Sequence, residues 1–156
     1  MDLDPEQTRI YEFGMDDYIR SKAGYAESLM MVGQIDNAID KFENTKKTIE
    51  NEIIYENPMI YINLCNQLAN CYLQKHNSDN ALQNFVISLT MINKIESEKK
   101  TDVNTKEDMN RIDQVSPLVV AKICLNIAII RSQMGFYPEA VFMHEKSLEY
   151  KSKVLP

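Results

Sequence analysis

Residues 25–42 read YAESLMMVGQIDNAIDKF, and the same pattern returns as LANCYLQKHNSDNALQNF at 68–85 and as IAIIRSQMGFYPEAVFMH at 127–144. In each stretch an alanine precedes a second alanine by 12 residues, as Ala26 and Ala38, Ala69 and Ala81, and Ala128 and Ala140. Two antiparallel helices approach closely only where side chains are small, and bulkier neighbours then fill the space around the crossing. The pattern therefore predicts three helix pairs, each crossing at its two alanines.

The turn inside each pair is also marked. Gly33 and Gly135 stand where the first helix of a pair must end, at the position that prefers a left-handed residue. In the second pair His76 and Asn77 stand at this point, and asparagine tolerates the same backbone conformation. The predicted helices are about 15–32, 36–55, 58–75, 79–97, 117–134 and 137–154. They divide the chain into an N-terminal extension or short helix (1–14), repeats at 15–57, 58–97 and 117–156, and a polar loop at 98–116.

The tandem pattern resembles the tetratricopeptide repeat (TPR) family, which has an aliphatic–small pair, an aromatic residue, a turn glycine, an alanine and a second aromatic residue. The resemblance covers roughly residues 19–156 and implies an all-α, right-handed α-solenoid of three TPR-like antiparallel helix pairs. The second alanine recurs after 43 and then 59 residues, whereas the usual TPR period is 34. Longer repeats are similar to those of kinesin light chains and Pins-type adaptors, and the third repeat is most like that subclass.

Composition excludes several classes of function. The net charge is -6, and residues 1–56 alone carry 13 acidic and 6 basic residues, which argues against a nucleic-acid partner. No apolar run approaches the roughly 20 residues that span a membrane, and the acidic N-terminus does not read as a signal peptide. The three cysteines lie within helical patterns and fit buried thiols in a reducing compartment. We therefore expect a cytoplasmic protein, with a cytoskeletal or ciliary assembly as a further possibility.

Catalytic and metal-binding patterns are missing. His76 and His144 lie in different repeats, and His144 takes the second aromatic position, where we expect a packed histidine in the core or at its rim. Cys65 and Cys71 are six residues apart on one helix, a spacing that does not place them on one face, and Cys124 is in another repeat. No phosphate-binding loop or nucleophile elbow is present. The chain is predicted to be no enzyme and to need no cofactor or metal.

The resemblance implies where a partner binds. In TPR proteins the first helix of each pair lines a concave groove, and five positions of that helix commonly face an extended peptide. The corresponding residues here are Arg20, Ala23, Gly24, Glu27 and Met31 in the first repeat, Asn63, Asn66, Gln67, Asn70 and Gln74 in the second, and Lys122, Leu125, Asn126, Ile129 and Gln133 in the third. We select as peptide-binding residues Asn63, Asn66, Gln67, Asn70, Gln74, Lys122, Asn126 and Gln133.

The amides of the second repeat carry this prediction. An amide offers both a donor and an acceptor, so it pairs with the backbone of an extended peptide whatever its sequence. Asn126 matches the asparagine ladder of the long-repeat subclass, Gln67 matches it approximately, and Gly24 interrupts it. An alternative is that the sequence is simply rich in asparagine, with fourteen in all.

Two functions remain open at this stage. The first is an adaptor or scaffold that binds another protein or peptide in the concave groove. The second is a structural subunit, or a fragment of a longer TPR solenoid, in a large assembly such as a motor, ciliary or ubiquitin-ligase complex. The second helix of the last repeat leaves a face that normally stacks on something, so self-association or stacking through residues 137–156 is part of the prediction.

Overall fold

A computed structural model describes residues 4–6, 14–51, 57–101 and 115–156. These residues form six helices and no strand: α1 (Met15–Met31), α2 (Ile35–Asn51), α3 (Pro58–Gln74), α4 (Ser78–Thr101), α5 (Pro117–Gln133) and α6 (Tyr137–Ser152). Helix α1 packs on α2, α3 on α4, and α5 on α6, and the pairs then stack through α2 with α3 and α4 with α5. The predicted fold class, an all-α solenoid of three TPR-like helix pairs, is confirmed.

The helix bounds differ from the prediction mainly in the second pair. Helix α4 continues to Thr101, so residues 98–101, predicted as the start of the polar loop, are helical. A run of Glu, Ser, Lys and Thr looks like a loop by composition, but most of these residues are compatible with a helix. Residues 102–114 of that loop, the predicted end of α2 and most of the N-terminal extension lie outside the described residues.

The two alanines of each pair are buried, as a close helix crossing at these positions requires. Five of the six are fully buried, and Ala140 is 4% exposed. Around the crossings of the first two pairs, the bulky residue four positions after the second alanine is buried, as Phe42 and Phe85. Because a larger residue at an alanine position would push the helices apart, these sites set the spacing within each pair.

All three turns within the pairs have one geometry. The residues after the last helical turn, Gly33, His76 and Gly135, each have a positive φ (85°, 58° and 85°). In each turn this residue donates its N–H to the carbonyl three residues earlier, and the next residue donates to the carbonyl five residues earlier. This pair of bonds is the Schellman motif. His76, and not the expected Asn77, holds the left-handed position in the second repeat.

A buried hydroxyl marks a further repeat position, which sequence reasoning missed. Thr45, Ser88 and Ser147 each follow the second alanine of their pair by seven residues, and all are almost fully buried. Ser88 Oγ donates to the backbone carbonyl of Ile62 at 3.0 Å, and Ser147 Oγ donates to that of Ala121 at 2.8 Å. Thr45 Oγ1 instead donates to a carbonyl of its own helix. In the second and third pairs the hydroxyl therefore bonds the two helices together.

Candidate functional site

Helix α3 carries most of the predicted binding residues, and its start is defined by the sequence. The side chain of Asn57 accepts a hydrogen bond of 3.2 Å from the backbone N–H of Met59, and Pro58 is the first helical residue. An asparagine cap satisfies an otherwise unpaired donor, and proline fixes φ near the helical value.

Two hydrogen bonds between tyrosine and glutamate fix α3 against α2. Tyr61 Oη donates to Glu50 at 2.6 Å, and Tyr72 Oη donates to Glu43 at 2.7 Å. The order is reversed along the two helices because they run antiparallel. Burial, and then the bond to Glu43, raises the pKa of the Tyr72 hydroxyl above its ordinary value, so it remains a donor at neutral pH.

A groove of about 500 Å³ lies between α1 and α3, within the usual size range of ligand sites. One wall is formed by α1 and the other by α3, with Phe42 of α2 also lining it. Twelve residues line this groove: Arg20, Ala23, Gly24, Glu27, Phe42, Asn57, Met59, Ile60, Asn63, Leu64, Asn66 and Gln67. The structure thus brings together four of the five groove positions predicted in the first repeat and three of the five predicted in the second.

Three amides on the α3 wall have no partner within the described part of the chain. Asn63 is exposed, Asn66 and Gln67 are partly buried, and none of their side chains forms a hydrogen bond with another described residue. The α1 wall opposite adds the exposed side chains of Arg20 and Glu27. The groove therefore presents unpaired donors and acceptors beside one positive and one negative group.

The other predicted residues lie outside this groove. On α3, Asn70 is partly buried and Gln74 is exposed; on α5, Asn126 is partly buried, whereas Lys122 and Gln133 are exposed. None of these five lines the α1–α3 groove. They occupy the predicted groove positions on the first helix of the second and third pairs, but they do not belong to this cavity.

Gly24 leaves the α1 wall of the groove without a side chain at its position. A Cβ built at this residue meets no atom within 4 Å, so the backbone there borders open space. The glycine has an ordinary helical conformation, and a positive φ occurs elsewhere, at Gly14, Gly33 and Gly135. Its lack of a side chain therefore widens the groove without being required by the backbone.

Five lining residues were not among the predicted groove positions, namely Phe42 and Leu64 of the core and a group formed by Asn57, Met59 and Ile60. The members of that group lie close together in the chain. They form the first turn of α3 and its cap, ahead of the family positions that were considered. The Asn57-Pro58 pair is the signal that marks this end of the groove, because an N-cap followed by proline fixes where the helix begins.

A second cavity, of about 970 Å³, lies among α4, α5 and α6. Leu89, Glu96, Val120, Phe142 and Tyr150 are among its lining residues, and no predicted binding residue is. Tyr150 Oη donates to the carboxylate of Glu96 at 3.0 Å, and burial raises the pKa of this tyrosine to about 12.

All three cysteines are free and buried, as expected of thiols that act as small apolar residues. Burial raises the pKa of Cys65, Cys71 and Cys124 to about 11 in each case. At neutral pH these thiols are protonated, and a protonated thiol is a poor nucleophile and a poor metal ligand.

Two further features concern metal binding and membrane insertion. No three side chains of His, Cys, Asp or Glu in the described parts of the chain come together in a way that would hold a metal ion. None of the helices in those parts is long and apolar enough to cross a membrane. The prediction that the chain is no enzyme remains a prediction.

Comparisons with known proteins give little beyond this. No protein-family model matches the chain, and no curated protein sequence matches it. Among solved structures it is similar to one described as the crystal structure of MamA, with 12% identity, a TM-score of 0.33, and 98% of each chain covered. A likeness at that level adds no support, so the assignment depends on the helix pairs, turns and buried alanines. The architecture is that of a TPR-like helical repeat.

Proposed function

We propose that this chain is a protein-interaction module that binds an extended segment of a partner protein in the groove between α1 and α3. The observation that carries the proposal is the row of Asn63, Asn66 and Gln67 on one wall, with no hydrogen-bond partner among the described residues. Amides pair with both the N–H and the C=O of an extended backbone, so they bind a peptide with little regard to its sequence. Arg20 and Glu27 lie on the facing wall. They would favour peptides that carry an acidic side chain next to Arg20 and a basic side chain next to Glu27.

In this proposal the peptide runs on from the groove towards α5. Asn70 and Asn126 lie on the first helices of the second and third pairs and supply the next amides. This arrangement is the one that the likeness to long-repeat, kinesin-light-chain and Pins-type adaptors implies. Gln74, Lys122 and Gln133 are exposed and stand at the same series of helix positions, where they would contact the peptide's side chains.

The test is a pull-down from source extract, quantified by mass spectrometry, with an Asn66→Ala/Gln67→Ala variant beside the parent chain. The matched control is Asn51→Ala/Gln83→Ala, which removes one exposed asparagine and one exposed glutamine outside the groove. We expect partners that bind the parent and the control but not the groove variant. Equal recovery by all three proteins would contradict the proposal.

A second variant separates the groove from its extension. Asn70→Ala/Asn126→Ala leaves the α1–α3 groove intact and removes the amides proposed to follow it. Weaker binding of the same partners would support a peptide that continues to α5, and unchanged binding would confine the site to the first two repeats.

A further inference from the structure

The last helix exposes an apolar stripe whose counterparts on α2 and α4 are buried or partly buried. Tyr137, Val141 and Leu148 of α6 are 64%, 56% and 64% exposed, and their spacing of four and then seven residues places them on one helical face. His144 lies between them and is exposed, so the expectation that it packs in the core or at its rim is wrong. We call these four residues the end face.

The equivalent positions in the two earlier repeats show how such a face is covered. The positions of Val141, His144 and Leu148 correspond to Leu82, Phe85 and Leu89 of α4, 59 residues earlier. Phe85 is fully buried, and Leu82 and Leu89 pack against the same apolar cluster, to which α5 contributes five residues. One repeat earlier the counterparts are Ile39, Phe42 and Lys46, and the first two pack in a cluster that includes residues of α3. In both cases the first helix of the next pair covers the stripe.

The two covering helices share one design. Each begins with a capping residue and a proline, Asn57-Pro58 in α3 and Ser116-Pro117 in α5. Each then presents apolar residues 6, 10 and 13 positions after the proline, and all six of these residues are buried: Leu64, Leu68 and Cys71 in α3, and Ile123, Ile127 and Ile130 in α5. A helix that covers such a stripe therefore has a recognisable sequence.

Helix α1 lacks this design. Its residues at the three matching positions are Ser21, Tyr25 and Ser28, and all three are exposed. Serines at these positions would offer little apolar surface to Val141 and Leu148, and the hydroxyl of Ser28 is already bonded to the backbone carbonyl of Gly24 in its own helix. A second copy stacked through α1 is therefore a poor occupant of the end face.

We propose that the end face docks a helix of another protein that is built like α3 and α5. The occupant carries an N-cap residue and a proline at its start, followed by aliphatic side chains 6, 10 and 13 positions after the proline. It continues the stack that α2–α3 and α4–α5 already form within the chain. This site is separate from the α1–α3 groove and does not depend on the groove's proposed role.

The test uses a helix of the required chemistry as a probe. Residues 115–136, which contain α5 and its cap, are fused to a soluble fluorescent carrier and titrated into the full 156-residue chain, with binding followed by anisotropy. The negative probe is the same carrier with residues 14–34, which contain α1. We expect saturable binding of the α5 probe and none of the α1 probe.

A Val141→Glu/Leu148→Glu variant decides whether the end face is the site. Its binding of the α5 probe should fall by roughly tenfold or more, because two carboxylates would be buried in an apolar contact. Tyr25→Ser is the matched control, since Tyr25 is also 56% exposed but lies on α1. Circular dichroism checks that both variants fold like the parent. No binding of the α5 probe to the parent, or equal binding to the end-face variant, would overturn the proposal.

A second copy is the alternative occupant. It is measured by sedimentation of the parent and of the end-face variant without any probe. Concentration-dependent dimers of the parent that disappear in the variant would show that two end faces pair with each other, and the proposal of a separate partner helix would then be wrong. A parent that stays monomeric while binding the α5 probe supports it.

Discussion

Ser147 Oγ donates a hydrogen bond of 2.8 Å to the backbone carbonyl of Ala121, and so joins α6 to α5. The equivalent residue of the second pair, Ser88, makes the same bond to Ile62 at 3.0 Å. Both hydroxyls are almost fully buried. If either serine were substituted, water could not reach the carbonyl oxygen to replace the lost hydroxyl.

We expect Ser88→Ala to lower the free energy of unfolding by about 1 kcal/mol, the usual net value of such a hydrogen bond. The loss is partly offset because alanine is the better helix former. Urea unfolding followed by circular dichroism measures the change. Ser97→Ala is the control, because Ser97 is exposed and bonds only to Lys94 of its own helix. Equal stability of the two variants would show that the buried bond contributes nothing.

His76→Gly should stabilise the chain. His76 has a φ of 58° where the other two turns use glycine, and a residue with a Cβ in the left-handed region loses about 1 to 2 kcal/mol. For a chain of this size, a gain of about 1 kcal/mol corresponds to a rise of roughly 2–4 °C in Tm. Gly135→Ala is the opposite change at the equivalent turn and should lower the Tm. If both substitutions moved the Tm in the same direction, the change in stability would not come from the left-handed backbone conformation.

Gly24→Ala should stabilise α1 without closing the groove. The added Cβ meets nothing within 4 Å, and alanine in a helix is favoured over glycine by about 0.5–1 kcal/mol. Thermal unfolding measures the gain. Partner recovery in the pull-down should be unchanged, whereas Gly24→Phe should reduce it by filling the space beside Asn66 and Gln67. Reduced recovery with Gly24→Ala would mean that the peptide approaches the α1 backbone directly.

The buried thiols predict alkaline sensitivity. The pKa of Cys71 is raised by burial from 9.0 to about 11, so above pH 9 the unfolded chain loses a proton that the folded chain keeps. The contribution of this thiol to stability is therefore complete below pH 9 and is lost as the pH rises towards 11. The slope is at most about 1.4 kcal/mol per pH unit for each thiol.

Urea unfolding at several values between about pH 8 and pH 9.5 checks this dependence, below the ordinary pKa of 10.0 at which Tyr150 ionises in the unfolded chain. Cys71→Ala should be less stable than the parent at the lower pH but should lose stability less steeply as the pH rises. Parallel slopes for the parent and the variant would contradict the raised pKa.

The repeated sequence pattern was enough to predict the helix pairs. It was not enough to predict which side chains a neighbouring helix buries. The alanine spacing was sufficient for the helix pairs because a close helix crossing admits few side chains. The aromatic position was not sufficient for burial: Phe42 and Phe85 are buried because α3 and α5 cover them, whereas His144 has no such helix within the described residues. The sequence of a helix alone does not show which of its faces the following helix will pack against.

The candidate site shows the same limit. The family positions located Asn63, Asn66 and Gln67 on the groove wall, since helical periodicity alone orients them. They did not indicate that the cavity ends at the cap of α3 and takes in Asn57, Met59 and Ile60, because its extent depends on how α1 lies across α3. Nor did composition show that α4 continues to Thr101.

The contrast between Ser21 and Ser28 on α1 and the apolar side chains on α6 has a consequence for stoichiometry. A solenoid with matching apolar ends adds copies head to tail without limit and grows into a fibre. With serines on α1, copies of this chain are not expected to add to one another by docking α1 on α6. Docking at α6 is then expected to join this chain to a different protein, in one fixed order along the stack.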